Sequence, residues 1–190
     1  MGTRGLVGFV INGTEKLAYN HWDSYPSGLG LQTLAWLREQ DLGALAEQVE
    51  RLELIDEEKE PTPEQVRRAK EAGVIDITVS ERSTSDWYCL LRGAQGDLTK
   101  TLEVGMMKGD ADFAIDSLFC EWAYVINLDD GLLEAYEGFQ KAPHANGRFA
   151  DRGPSQGVVH EYHPVALRGS WPLHDLPSDE AFLATLEGAA

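Results

Sequence analysis

Apolar positions in this chain fall into short blocks whose spacing changes along its length. Leu6 to Ile11 is an unbroken, β-rich apolar run without alternation, the pattern of a strand covered on both faces. Asn12-Gly13 and a second extended run, Lys16 to Asn20, come next. Asn-Gly between two such runs predicts a hairpin, because a type I′ turn needs positive φ at both central positions. After the polar stretch His21-Trp22-Asp23-Ser24-Tyr25-Pro26-Ser27-Gly28, Leu31, Leu34 and Leu37 mark one helix. Leu42, Leu45, Val49 and Leu52 mark a second, with Asp41 as its N-cap.

Ile55 to Glu60 is acidic and reads as a loop. Thr62-Pro63-Glu64-Gln65 is a capping box with proline at the first helical position, and its helix should stop at Gly73. Val74 to Val79 is read as a short strand, and Asp86 to Leu91 as a helix ended by Gly93. Trp122 to Leu128, the turn Asp129-Asp130-Gly131 and Leu132 to Tyr136 predict a second hairpin. Lys141 to Gly157 is polar and rich in Gly and Ala, a loop by composition. Val158 to Tyr162 and Val165 to Leu167 add strands, and Ser178 caps a last helix carrying Phe182, Leu183 and Leu186. The order describes one α+β domain over 1–190. Its sheet is mostly antiparallel, built from the N-terminal and C-terminal hairpins with helices packed on it, and loops near 55–61 and 141–157 are expected to be mobile.

Composition narrows the classes of function. The 190 residues are 43% apolar and 25% charged, as in ordinary globular chains. Sixteen Lys+Arg against 32 Asp+Glu give a formal charge of −16, which argues against direct nucleic-acid binding, since phosphate affinity rests on Lys and Arg. Two cysteines, Cys89 and Cys120, do not make a disulfide framework, and both read as core filler. The apolar run near the start, from Gly5 to Ile11, is far short of the roughly 20 residues that span a bilayer. No basic segment and cleavage site frame it, so a cytoplasmic protein without a membrane segment is expected.

Candidate chemistry gathers after the first hairpin. If the strand ran on through His21 and Asp23, both side chains would share a face, and the carboxylate would orient the imidazole. Tyr19, Trp22 and Tyr25 would then wall a pocket, with Arg4 near it. The blander reading has His21 and Asp23 fastening the loop while Trp22 and Tyr25 fill core. His160 and His163 have the wrong spacing for a zincin helix and point apart in an extended chain, so no metal is assigned. Asp110, Asp112, Asp116, Asp129 and Asp130 lack the Gly and Glu of an EF-hand, and no glycine motif for nucleotides is present, so no cofactor is expected. The acidic excess leaves one further reading, a mimic of nucleic-acid charge.

Thr3-Arg4-Gly5, Tyr19 to Pro26 with Gly28-Leu29-Gly30, and Glu121 to Asp129 together resemble a family of small proteins common in bacteriophage and actinobacterial genomes. The family opens with Thr-Arg and carries a His-Trp-Asp-x-Tyr-Pro loop; the resemblance implies an origin rather than an activity. More loosely, a threonine before an apolar strand and tight hairpin is similar to the opening hairpin of N-terminal-nucleophile hydrolases. That likeness implies Thr3 as nucleophile, which requires a free α-amine, whereas removal of Met1 exposes Gly2. The expected function is therefore an accessory protein that binds a host protein or small ligand through Arg4, Tyr19, Trp22 and Tyr25. The alternative is a hydrolase of amides or phosphoesters using Thr3, His21 and Asp23.

Overall fold

The computed structural model describes residues 2–153 and 162–188. Strands β1 (Gly5–Ile11) and β2 (Thr14–Asn20) form the expected hairpin, with φ of 51° at Asn12 and 69° at Gly13. The Asp129 carboxylate accepts both turn N–H groups, at 2.7 and 2.8 Å. Strands β5 (Trp122–Asn127) and β6 (Leu132–Glu137) form the second hairpin, and β7 (Ala166–Pro172) adds to it antiparallel. The hairpins join through a parallel β1–β5 pair, so the sheet runs β2-β1-β5-β6-β7. As its lack of alternation implies, β1 is buried at every position.

Helices cover one face of this sheet. Val7, Phe9, Tyr124, Ile126 and Leu133 pack against α1 (Leu31–Arg38), α2 (Leu42–Arg51) and α6 (Asp179–Glu187). Asp41 caps α2 by accepting from the Ala44 N–H, and Ser178 caps α6 through the Ala181 N–H. The ammonium of Lys16, buried on β2, donates to the carbonyls of Val49, Glu50 and Leu52 where α2 ends, fastening helix to hairpin. Burial holds its pKa below the ordinary lysine value, with Glu50 opposing. The other face, with Leu6, Val10, Val125 and Tyr136, is closed by Ala114 from a short 3-10 helix (Ala111–Ile115) and by irregular chain supplying Phe149 and Val165.

Between α2 and β5 the chain builds a third cluster. It contains α3 (Pro63–Glu71), α4 (Trp87–Leu90), α5 (Leu98–Val104) and a short parallel pair, β3 (Glu53–Leu54) with β4 (Met106–Met107). The capping box at Thr62 and Gln65 forms, and Gly73 takes positive φ after α3. Val74 to Val79 is not a strand. Its backbone is satisfied by turns instead: the Val74 N–H donates to Ala69, its carbonyl accepts from Gly93, and the Asp76 carboxylate accepts from the Thr78 N–H. Of the proposed strand Val158 to Tyr162, all but Tyr162 lies outside the described residues, and Tyr162 itself is irregular. The stretch 141–153 is irregular, as composition implies, yet Phe149 within it is fully buried. No helix among the described residues is long and apolar enough to cross a membrane.

Candidate functional site

The strand does not continue past Asn20, and this decides the geometry of the loop after it. Asp23 turns back with φ 53° and its carbonyl accepts from the Leu29 N–H, while Pro26–Gly30 closes in a π-type turn. His21 and Asp23 therefore do not share a strand face, and no hydrogen bond joins either of them to the other or to Thr3. His21 Nδ1 pairs instead with the Tyr19 hydroxyl at 2.7 Å. Trp22 and Tyr25 do not fill core: they are 55% and 39% exposed. The Trp22 ring lies on Gly2, where an added Cβ would come within 2.1 Å of it. The buried anchor of the loop is Ser24. Its N–H donates to the Thr3 carbonyl, its hydroxyl accepts from Asn20 Nδ2 and its carbonyl accepts from the Tyr124 hydroxyl. Arg4 sits with its guanidinium carbon 4.6 Å from the Phe119 ring centroid.

The concavity lies on the other side of Tyr19. A cavity of about 400 Å3 opens between the outer edge of β2 and the third cluster. Tyr19, Phe113, Trp87, Tyr88, Met106 and Met107 give its aromatic and thioether walls, and Glu57, Arg92, Lys108 and Asp110 bring charge. Position is set by the edge of the sheet. The Asp110 N–H donates to the Leu17 carbonyl and its carboxylate accepts from the Tyr19 N–H, so the free edge of β2 is occupied rather than left open to another chain. Tyr19 stands edge-on to Phe113, centroids 5.1 Å apart, and also edge-on to His21. Asp86 opens α4 by accepting from the Tyr88 N–H, and the Trp87 indole N–H donates to the Lys59 carbonyl, which together fix that wall.

Charge in the cavity is unevenly distributed. Lys108 Nζ lies 3.1 Å from both Glu57 and Asp110. Burial works to lower its pKa, but the two carboxylates outweigh that and hold it above the ordinary lysine value. Burial raises the Tyr19 phenol, so it stays neutral and able to donate at physiological pH. Arg92 donates to the Gln95 side-chain carbonyl and lies 5.3 Å from the Tyr88 ring centroid. Among the described residues no carboxylate forms an ion pair with it.

No protein-family model, curated protein or solved structure matches this chain.

The cavity thus takes in one of the residues singled out from sequence, Tyr19, and leaves Thr3, Arg4, His21, Asp23, Trp22 and Tyr25 outside its lining. Its other walls carried weak signals: a Trp-Tyr pair after an N-capping Asp, and Met106-Met107, adjacent in a chain with three methionines. Thioethers suit adaptable binding surfaces. The remaining candidates have structural partners. Asp129 binds the hairpin turn and Asp130 accepts from Asn127 Nδ2. Both cysteines are buried, and burial pushes the Cys120 thiol far above the range of a nucleophile. Among the described residues no group of three or more His, Cys, Asp or Glu is placed to hold a metal ion. His160 lies outside them.

Proposed function

We propose that this chain is a small-molecule-binding protein, a phage-type accessory protein of the cytoplasm whose ligand occupies the cavity beside β2. One observation carries the reading: a concavity of about 400 Å3 walled by aromatic and thioether side chains, with a few charged groups at defined places. Small-molecule sites are mostly apolar concavities of roughly this size with sparse, oriented polar groups. Tyr19 lines the cavity and bonds His21, which in turn meets Trp22 edge-on with centroids 4.3 Å apart. The loop read from sequence as the site is then the exposed flank of the binding pocket, and the surface on which a host protein would meet the loaded form.

Native mass spectrometry of the purified protein, followed by its denatured mass, tests this directly. A non-covalent increment lost on denaturation is expected. Binding of the dye 1-anilinonaphthalene-8-sulfonate should also be reduced at least about tenfold by Ala18→Phe, which fills the cavity from β2. An empty native mass, together with dye binding unchanged in a folded Ala18→Phe protein, would overturn the reading. The denatured mass also reports whether the chain begins at Thr3, the condition under which a threonine-nucleophile hydrolase gains its base.

A further inference from the structure

Arg92 stands apart from most cations in this protein. Acids outnumber bases two to one along the chain, and Arg38, Arg51, Arg67, Arg68, Arg148 and Arg152 each have a carboxylate within ion-pair distance. Arg92, in the wall of the cavity, has a neutral amide and the face of Tyr88. Asp76 lies close enough to feel its field, but that carboxylate is engaged by the Thr78 N–H and hydroxyl. A guanidinium carries five N–H donors in a planar fork and is not deprotonated at any physiological pH. Among the described residues Arg92 uses one of its N–H groups, on Gln95.

The other cation of the cavity is in a different state. Lys108 is neutralised by two carboxylates at once, so it offers little to an incoming anion, and together the three groups carry a negative balance. The charge available to a ligand is therefore at Arg92, on the side formed by α4 and the turn after it. The Tyr88 ring lies under the guanidinium, and Trp87, Tyr19 and Phe113 line the same cavity.

We infer that the ligand is a flat aromatic anion, its ring system held among Tyr19, Trp87 and Phe113 and its carboxylate or similar planar oxyanion paired with Arg92. This rests on the cavity being a ligand site. An aromatic box in an acidic protein also suits a quaternary or primary ammonium. Here the guanidinium already covers the Tyr88 ring, so on that side of the cavity a second cation meets repulsion where an anion meets unpaired N–H groups of a fork.

Three probes with one ring system separate the possibilities: 2-naphthoate, 2-naphthalenemethanol and 2-naphthylmethylammonium, titrated by calorimetry against the full chain. The naphthoate should bind about tenfold or more tightly than the alcohol, and the ammonium most weakly. Arg92→Gln should bring naphthoate and alcohol within about twofold of each other and leave the alcohol itself unchanged. Arg92→Lys should keep part of the preference, since charge survives while the fork is lost. Thermal unfolding of both variants near wild type confirms that the readout is binding. Equal affinities of naphthoate and alcohol in wild type overturn the anion assignment and leave the ligand pocket standing. Preference for the ammonium overturns it in favour of the carboxylates. No binding of any probe, with Ala18→Phe also without effect on dye, removes the pocket and this inference together.

Discussion

On one face of the sheet Val7, Phe9, Tyr124 and Ile126 meet three helices mainly through apolar side chains, with the Lys16 ammonium added at the end of α2. On the opposite face Leu6, Val10 and Val125 meet a short 3-10 helix, Ala111–Ile115, and irregular chain around Phe149 and Val165, and the irregular part is fastened by charge. Glu134, buried on β6, accepts two N–H groups of Arg148 at 2.9 Å each, the Tyr136 hydroxyl at 2.6 Å and Asn127 Nδ2 at 2.7 Å. Arg152 pairs with Glu15 on β2 in the same stretch. A helix brings a whole apolar stripe and satisfies its own backbone; an irregular segment does neither. Its position has to come from a few directional bonds, and the bonds that survive burial are those whose donors and acceptors are all used.

The contrast breaks most sharply at Arg148. Arg148→Met strands the Glu134 carboxylate in the interior and should destabilise the protein by about 3–5 kcal/mol in urea unfolding. Adding Glu134→Leu should recover most of that, because the buried charge goes with its partner. A single-mutant loss under about 1 kcal/mol would mean the pair is as weak as a surface bridge. On the helical face, Leu34→Ala should remove about 2–5 kcal/mol with no rescuing partner, since it leaves a cavity rather than a charge.

Acid should separate the faces again, by a smaller amount. Burial alone would raise the Glu134 pKa, but its hydrogen bonds from Arg148, Tyr136 and Asn127 outweigh this and hold it below the ordinary glutamate value. A carboxyl depressed in the folded state contributes stability that is complete above its unfolded pKa and is lost as pH falls through the folded one. Urea midpoints at about pH 7 and about pH 3 should fall more in wild type than in Glu134→Gln. An identical fall in both would remove Glu134 from the acid response. Least affected of all should be a helix end: Asp41→Ala frees the Ala44 N–H and should cost about 1 kcal/mol at neutral pH.

What could be read from the residues divides along the same line. Helix caps at Asp41, Thr62 and Ser178, the Asn12-Gly13 turn and the doubly covered β1 depend on neighbours a few positions away, and all are in place. Val74 to Val79 has strand-like composition, but its backbone is held by Ala69 in the last turn of α3 and by Gly93 in the turn after α4, and the second of these is not encoded in local pattern. The helix α5 had its Asp97 cap and its left-handed Gly105 in plain sight, yet Leu98, Thr101 and Val104 make too short a stripe to stand out. Tyr19 was legible as chemistry because it adjoins the loop; Arg92, Lys108 and Met106 were not, since the cavity exists only once the third cluster is laid against the edge of β2.

The parallel pairing of β1 with β5 also sets a timetable. Residues that meet there are about as far apart along the chain as Asn12 and Asp129, 117 positions. At a ribosomal rate of roughly 5–20 residues per second, about 6 to 25 s pass between synthesis of the first hairpin and arrival of the strand that completes it. For that interval a wholly apolar strand waits with one edge bare. An apolar edge exposed for that long favours aggregation over folding, and slowing translation between the two hairpins should lower the yield of native protein.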